Sequence, residues 1–317
     1  MLPELLPIYS ASLARDPHLV IKFACRVALF AHNEEDRIGA ALTSILNSFT
    51  AEDDLRVHVL VNGSTDGTIE IVRSFARSHP SIVPVELRIG DKCNAWNYYV
   101  YHLADESPCH FFMDGDVRCP PGVLERMWRE LAAKPEATVI AGAPLSGRNQ
   151  KYYRDIQRRW NWVFGNLYGV AAHRLRRIVD LGLKLPLGLR GNDHIITQLL
   201  TGDLPAREPR EPARMIVRPD LGYEFDPLQP YRLRDLKSYW RRQVTYCLRQ
   251  LQIGELEKDL DHLPRTMDEI NKKILADLNR RWLSPLRITD RVVRQRLRRM
   301  YPSPDSVYYE SMLDETG

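Results

Sequence analysis

The hydrophobic pattern of the first third of the chain predicts strands and helices in alternation. The apolar run VALFA is typical of a buried strand, and after the polar stretch HNEED apolar residues recur at helical spacing between residues 38 and 49. VHVLVNGSTDGTIEIVRSF repeats this order, with a strand, a polar loop that contains glycine, and a helix. A third strand is predicted over residues 83–89 and a helix over 95–103, and HFFMD predicts a fourth strand.

Strands that alternate with helices at this spacing indicate a doubly wound, mostly parallel α/β sheet flanked by helices. In such sheets ligands bind beyond the carboxyl ends of the strands. The polar loops HNEED, NGSTDG and DGDV each follow a predicted strand, so we expect them to meet at one edge of the sheet. Residues 203–235 are rich in proline and arginine and predict irregular coverings around one or two edge strands. Helix-forming sequence returns from residue 236.

Composition narrows the class of protein. The 317 residues are enough for one large domain with an appendage, and the net charge is a modest +4. No run approaches twenty apolar residues, and the N-terminus MLPELLPIYS lacks the basic flank of a secretory signal. Five cysteines without a C-x-x-C pair favour reduced thiols and a cytoplasmic protein. The sequence contains neither the cysteine and histidine spacing of a zinc finger nor an aromatic–basic motif, so nothing indicates a nucleic-acid partner.

Two aspartates separated by one glycine end the fourth predicted strand. In extended backbone Asp114 and Asp116 would point the same way, and their charges would repel unless a cation lay between them. Asp-Gly is strong turn chemistry, so on its own the sequence DGD favours a solvated turn. A divalent cation is the alternative, because hard cations bind carboxylate oxygens. The position of DGD at the expected ligand-binding edge favours the cation site.

Five motifs appear in an order that is found in a known family. VALFAHNEED, VHVLVNGSTDGT, GDKCNAWN, MDGD and GNDHIITQLL together resemble the family-two glycosyltransferases, inverting enzymes of the GT-A fold that use nucleotide-diphospho-sugars. The resemblance covers residues 25–200 and depends on the ordered set, not on one motif. The domains that it implies are an N-terminal extension (1–24), a GT-A catalytic domain (25–235, with a nucleotide-binding half over 25–120 and an acceptor half over 121–235) and a helical C-terminal extension (236–317).

The resemblance implies a nucleotide site built from the first three loops. His32 takes the place of an aromatic residue that stacks on the base, with Ala31 beside it and Glu34 in reach of the ribose. Asn62 stands where the family has an aspartate that accepts a hydrogen bond from the base, and its amide still offers an acceptor. Lys92 has the position of a basic residue near the nucleotide. On local evidence alone, His32 is equally well a loop histidine and Lys92 an exposed lysine.

The same resemblance assigns the cation ligands and the catalytic base. Asp114 would contact the ribose and the water shell of a divalent cation, Mn²⁺ or Mg²⁺, and Asp116 would bind that cation directly. Gly115 would leave room for the ribose or phosphate. Asp193 corresponds to the family's catalytic base, although on local evidence a helix N-cap explains this residue equally well.

The acceptor half has fewer matching motifs. FGNLYGVAAHRLRR resembles the segment that lines the donor sugar and the acceptor, which assigns contacts to Gly165 and Asn166. The Gln-x-x-Arg-Trp motif of processive members is absent, since SYWRRQ has those residue types in another order. No histidine lies between His194 and His262, so the third metal ligand of many GT-A enzymes is unassigned.

These observations predict a cytoplasmic, inverting, metal-dependent glycosyltransferase, most simply a hexosyltransferase. Its partners would be a nucleotide-diphospho-sugar, UDP-linked in preference to GDP-linked, and an acceptor hydroxyl. The basic, partly amphipathic stretch over residues 288–300 would suit an anionic membrane face and a lipid-linked acceptor, although a helix packed on the catalytic domain is the simpler explanation. The alternatives are a non-catalytic nucleotide-sugar-binding module and a sugar nucleotidyltransferase, and HNEED lacks the glycine-rich phosphate loop of the latter.

Overall fold

A central β-sheet with helices on both faces contains the predicted nucleotide-binding loops. In this computed structural model the described residues are 24–49, 54–147, 150–202, 212–226, 233–259, 262–280 and 288–314. The strands within these ranges are β1 (Ala24–Ala31), β2 (Asp54–Asn62), β3 (Ile82–Leu87), β4 (Cys109–Asp114), β5 (Val117–Arg118), β6 (Val139–Pro144), β7 (Leu167–Ala171) and β8 (Met215–Phe225). The α-helices are α1 (Ile38–Leu46), α2 (Thr68–Ser78), α3 (Lys92–Tyr98), α4 (Val123–Ala132), α5 (Gln150–Trp160), α6 (Ala172–Asp180), α7 (Asp193–Thr201), α8 (Leu233–Leu256), α9 (Asp268–Arg280), α10 (Ile288–Met300) and α11 (Tyr309–Asp314). The predicted N-terminal extension lies outside the described residues apart from residue 24.

The order of strands in the sheet is β3-β2-β1-β4-β7-β6-β8-β5. β1 pairs in parallel with β2 and β4, and β2 pairs in parallel with β3, which confirms the predicted βαβ units. β7 runs antiparallel to both β4 and β6, so the other half of the sheet is mixed. Because β1, β2 and β4 are parallel neighbours, the three polar loops that follow them leave the sheet at one edge, as the sequence predicts.

The stretch rich in proline and arginine contains one long strand. β8 pairs in parallel with β6 and in antiparallel with the two-residue edge strand β5. Pro219 lies where the register between β6 and β8 is interrupted, between the pairs Ala141–Val217 and Ala143–Gly222. Proline cannot donate a ladder hydrogen bond, and an irregular position of this kind accommodates it. The stretch therefore contains one strand, which lies beside the edge strand β5 and not at the edge itself, while residues 203–211 and 227–232 lie outside the described ranges.

Apolar side chains of β4 alternate between the two faces of the sheet. Phe111 and Met113 pack on the face covered by α1 and α4, and Phe112 lies on the opposite face. There Phe112 stacks on Tyr168 with ring centroids 5.0 Å apart, and the Tyr168 hydroxyl accepts a hydrogen bond of 3.0 Å from Trp96 Nε1. A strand buried on both faces is expected at the centre of a parallel sheet. This packing holds the end of β4, where the DGD sequence begins.

The predicted helical extension is a group of helices with its own apolar core. α8, α9 and α10 pack together through buried side chains (Val244, Leu248, Ile274, Leu278, Val293 and Leu297). Val293 and Leu297 of α10 are fully buried, whereas Ile288 at its start is 69% exposed. Contact of α10 with a membrane stays a prediction, but the buried Val293 and Leu297 face the other helices and are not available for such a contact. No described helix is long and apolar enough to span a membrane.

A buried carboxylate attaches the last helix to this group. Asp268 at the start of α9 accepts hydrogen bonds from the backbone nitrogens of Tyr309 and Glu310, both at 3.0 Å, where α11 begins. The hydroxyl of Tyr301, just beyond α10, donates to Asp268 at 2.7 Å. A negative charge at a helix N-terminus satisfies free N–H groups and interacts favourably with the helix dipole. Asp268 therefore connects α9, the end of α10 and α11.

Candidate active site

The loops after β1 and β2 are joined by hydrogen bonds between side chains and backbone. Asn33 Oδ1 accepts a bond of 2.8 Å from the nitrogen of Thr65, and Glu35 Oε2 accepts one of 2.8 Å from the nitrogen of Gly67. Asn33 has a φ of 56°, a left-handed conformation that asparagine tolerates better than most residues. The sequences HNEED and NGSTDG therefore form one hydrogen-bonded unit at the edge of the sheet.

His32 is held at this edge with its ring exposed. Its Nδ1 lies 2.7 Å from the backbone oxygen of Asn62, and a Cβ placed on Gly90 would lie 3.2 Å from its Cε1. The ring thus stands between the end of β2 and the loop after β3. Ala31, the last residue of β1, is fully buried. Of these two predicted nucleotide contacts, His32 is the one that offers a side chain on which a base could stack.

Asn62 is only 4% exposed, and its amide connects two strands. In the orientation that satisfies the amide, its nitrogen donates to the backbone oxygen of Ala31 at 2.7 Å and to that of Leu60 at 3.3 Å. An aspartate here would direct a carboxylate oxygen at those carbonyl oxygens. This explains why this chain has an amide at the position where the family that it resembles has a carboxylate.

Lys92 links the two halves of the predicted site. Its ammonium group donates to Asp114 Oδ1 and, at 2.9 Å, to the backbone oxygen of Gly165. The other oxygen of Asp114 lies 3.4 Å from Asn166 Nδ2, and the nitrogen of Asp114 donates to the backbone oxygen of Asn166 at 3.0 Å. Asn166 Oδ1 accepts a further bond of 3.1 Å from the hydroxyl of Tyr223. Lys92, Asp114, Gly165 and Asn166, all predicted from the sequence, therefore form one hydrogen-bonded group.

Gly115 and Asp116 form a turn between β4 and β5. The backbone at DGD is therefore the turn that Asp-Gly favours on its own, and the cation site stays a prediction. The nitrogen of Gly115 donates to Phe30 O at 2.8 Å, and a Cβ on Gly115 would lie 3.0 Å from that oxygen and 3.2 Å from Ile38 Cδ1. Close packing against β1 and α1 thus requires a glycine here, independently of any ligand.

Three carboxylates and two cations gather around this turn. Burial and the charge of Asp116 raise the pKa of Glu34 to about 7, although Arg37 lies 2.7 Å from Glu34 Oε2. Burial also raises the pKa of Asp114; Lys92 opposes this shift and Asp116 adds to it. Arg37 lies 3.8 Å from Asp116 Oδ2. Three carboxylates face two cations, so this corner has an excess of negative charge whenever Glu34 is ionised.

The oxygen atoms at this turn suit a hard divalent cation. Asp114 and Asp116 are close enough for the charge of one to raise the pKa of the other, and a cation between them would relieve that repulsion. Among the described residues, no group of three or more His, Cys, Asp or Glu side chains is arranged to hold a metal. Mg²⁺ at phosphate-binding sites is commonly held by one or two carboxylates together with substrate phosphates and water. The two aspartates therefore fit a cation that arrives with a nucleotide diphosphate.

Asp193, the predicted base, borders the group around Lys92. A Cβ placed on Gly165 would lie 3.9 Å from Asp193 Cβ and 3.3 Å from Lys92 Nζ. Asp193 is the first residue of α7, and the N-cap is Asn192, whose side chain makes no capping hydrogen bond. Capping therefore does not explain Asp193. Its Oδ1 is buried without a hydrogen bond of good geometry.

An arginine from the C-terminal helices reaches Asp193. Arg249 on α8 places Nη2 3.0 Å from Asp193 Oδ1, and the two side chains are 23% and 15% exposed. Arg249 crosses Gly191, where a Cβ would lie 2.2 Å from Arg249 Cδ. The sequence analysis missed Arg249 because it lies far beyond the matching motifs, on a helix with several other arginines. The one indication of this contact in the sequence is the glycine two residues before Asp193. Gly191 has a φ of 68°, and a Cβ there would collide with Arg249.

Comparison with known proteins gives the family. Residues 27–179 match glycosyl transferase family 2. These residues, a little under half of the chain, are a glycosyl transferase family 2 segment. The matched segment contains all the predicted nucleotide and cation residues and ends before Asp193. No curated protein sequence matches this chain.

Several solved structures have a similar fold. The mannosyltransferase PcManGT from Pyrobaculum calidifontis, in complex with GDP-Man and Mn²⁺, aligns with a TM-score of 0.58 and 18% identity over 98% of this chain and 85% of its own. Glucosyl-3-phosphoglycerate synthase from Mycobacterium tuberculosis, in complex with Mn²⁺, UDP and glucosyl-3-phosphoglycerate, gives 0.50 and 15% over 78% and 85%. S. aureus TarS 1–349 with UDP-GlcNAc gives 0.50 and 12% over 87% and 79%. The predicted GT-A fold is confirmed.

Proposed function

We propose that this family 2 protein transfers a sugar, with inversion, from a nucleotide-diphospho-sugar to an acceptor hydroxyl. The observation that supports this best is the Lys92 bridge between Asp114 and Gly165, because it brings the aspartate pair beside Asp193. A donor held by the aspartates would then present its sugar next to the Asp193 carboxylate. A hexose is the sugar class that we propose.

Asp114 and Asp116 would hold the donor through Mn²⁺ or Mg²⁺. When bound, such a cation neutralises charge that develops on the departing diphosphate. Lys92 would add positive charge on the same side, and Gly165 and Asn166 would border the sugar. The excess negative charge of this corner supports a cation there.

The nucleoside would lie along the loops after β1, β2 and β3. His32 would stack on the base, and Glu34 would contact the ribose. Asn62 would act on the base indirectly, because its amide is engaged with backbone oxygens. We propose a UDP-sugar in preference to a GDP-sugar; the similar structures include complexes with both nucleotide types.

Asp193 would act as the general base. The acceptor oxygen attacks the anomeric carbon, its proton passes to Asp193, and the bond from that carbon to the diphosphate oxygen breaks with its electrons on the diphosphate. Attack from the side opposite the leaving group inverts the configuration. Arg249 would be a positioning residue that keeps the Asp193 carboxylate oriented toward the acceptor.

Two substitutions separate this mechanism from simple nucleotide-sugar binding. Asp116→Asn should remove the manganese-dependent part of donor binding and lower transfer with it. Asp193→Asn should leave donor affinity and metal dependence nearly unchanged, yet lower transfer by on the order of a hundredfold, the usual scale for a positioned base. Asp36→Asn, at an exposed position of the HNEED loop, is the matched control for loss of one carboxylate.

The measurement combines calorimetric donor affinity with initial rates of sugar transfer or donor hydrolysis. If Asp193→Asn transfers sugar at close to the wild-type rate, Asp193 is not the base. If the wild type binds donors with metal but supports no transfer to any acceptor hydroxyl, the protein is a binding module.

A further inference from the structure

A cavity of about 570 Å³ lies between the sheet domain and the C-terminal helices, away from the aspartate pair. Its lining on the sheet side comes from the loop after β3 and from Arg190, and on the helical side from α10 and α11. Cavities of this volume are the usual size for small organic ligands. The cavity is therefore large enough for a molecule and not only for an ion.

Three arginines line this cavity, namely Arg190, Arg296 and Arg299. Among the described residues none of them lies within ion-pair distance of a carboxylate, although Asp91 and Arg190 are near enough for each charge to shift the pKa of the other group. Asp91 is the one carboxylate in the described lining, and its oxygens accept hydrogen bonds from backbone nitrogens, including that of Gly188 at 3.1 Å. Three positive charges and one negative charge leave the cavity with an excess of two positive charges.

Arg190 shows most directly that a partner is missing. Its Nε is buried and has no hydrogen-bond acceptor, and its Nη2 lies at the long distance of 3.4 Å from the hydroxyl of Tyr309. A buried guanidinium group normally has acceptors for its N–H groups, because leaving them unpaired is unfavourable. An anionic group in the cavity would supply those acceptors.

The rest of the wall favours a ligand with an organic body. Val292, Met300 and Met312 contribute apolar surface, and Tyr308 contributes a ring that is 37% exposed. Guanidinium groups bind phosphate through paired N–H donors, and several arginines together suit a dianion better than a single carboxylate. We propose that this cavity binds a small phosphate ester, with the phosphate on Arg190, Arg296 and Arg299 and the organic body against Tyr308 and the methionines.

This site is distinct from the proposed donor site but borders it. Asp91 immediately precedes Lys92, and Gly90 touches His32. Phosphate bound by the donor site must therefore be distinguished from phosphate bound by the cavity. Substitution of Lys92 would weaken phosphate binding in the first case, and substitution of the arginines of α10 would weaken it in the second. The proposal does not depend on glycosyl transfer.

The test is isothermal titration calorimetry on the full chain with phenyl phosphate, in EDTA and at constant ionic strength. We expect one molecule to bind, more tightly than either inorganic phosphate or benzoate. Arg296→Gln and Arg299→Gln should each weaken binding by roughly tenfold or more, the scale for a charge-assisted hydrogen bond. Arg291→Gln, at an exposed position of the same helix that does not line the cavity, should leave the affinity unchanged.

Three results would overturn the proposal. The first is no binding of phenyl phosphate by the wild type. The second is loss of binding in Lys92→Gln with retention in Arg296→Gln and Arg299→Gln, which would assign the phosphate to the donor site. The third is an equal loss in Arg291→Gln, which would indicate a diffuse basic surface. Thermal unfolding without ligand identifies any variant that fails to fold. Arg299 is more exposed than Arg296, so Arg299→Gln is the variant less prone to disturb folding.

Discussion

The ion pair between Arg249 and Asp193 joins the C-terminal helices to the proposed base, and removing it should affect both stability and transfer. The perturbation is Arg249→Gln, which keeps a long polar side chain and removes the charge. Arg249 Nη2 and Asp193 Oδ1 are 3.0 Å apart, and neither side chain is more than about one quarter exposed. Breaking a fully buried pair costs about 3–5 kcal/mol, and partial exposure together with imperfect hydrogen-bond geometry should reduce this to about 1–2 kcal/mol.

A double-mutant cycle isolates the contribution of the pair. The four proteins are the wild type, Arg249→Gln, Asp193→Asn and the double variant, with stability measured by urea unfolding under matched conditions. We expect an interaction energy of about 1–2 kcal/mol, because residues in direct contact are not additive. Arg241→Gln, exposed on the same helix, is the control for loss of one arginine. An interaction energy near zero would refute the reasoning.

Transfer rates show whether Arg249 positions the base or only stabilises the fold. Arg249→Gln should lower the rate of transfer while donor affinity stays near that of the wild type, and Arg249→Lys should restore part of the rate. Gly191→Ala should mimic Arg249→Gln, because the added Cβ would lie 2.2 Å from Arg249 Cδ and displace the side chain. Unchanged transfer in Arg249→Gln would leave Arg249 with a structural role alone.

Two further predictions concern the sheet. Asn62→Asp should destabilise the protein by about 1–3 kcal/mol or more, because a buried carboxylate oxygen would replace the N–H group that now donates to Ala31 O. Asn47→Asp, at an exposed position, is the control. Equal thermal midpoints for the two variants would show that Asn62 does not make this bond. Burial lowers the pKa of His110 to about 4. Unfolding restores a pKa near 6.5, so the unfolded chain binds more protons than the folded one between these two pH values. The free energy of unfolding should therefore fall by on the order of 3 kcal/mol as the pH drops from 6.5 to 4. His110→Gln should remove much of that slope in pH-dependent unfolding, and His262→Gln, with a side chain 83% exposed, should not.

The sequence predicted the elements that depend on local periodicity and missed those that depend on distant contacts. The first four strands and the edge at which their loops meet followed from the alternation of apolar runs with helical spacing. Lys92, Asp114 and Asp193 were found because they lie in ordered motifs. The turn at Gly115–Asp116 was the local expectation for Asp-Gly, and the period-two argument for two aspartates on one side applies only to extended backbone.

The contacts of Asn62 and Arg249 could not be predicted for a different reason. Whether Asn62 faces a ligand or the neighbouring strand depends on the register between β1 and β2, which no single segment contains. Arg249 is one of several arginines on α8, and only the packing of that helix against Gly191 distinguishes it from the others. Tertiary packing, not residue type, decides both cases.

The position of Arg249 has a practical consequence for dividing this protein into modules. The segment that matches the family ends at residue 179, the proposed base follows at Asp193, and its cationic neighbour follows on α8. A shortened protein or a chimera cut at the family boundary would keep the loops after β1, β2 and β4 and would lose both Asp193 and Arg249. Exchange of acceptor specificity between relatives should therefore succeed only when the segment from Gly191 to Arg249 is transferred as one unit.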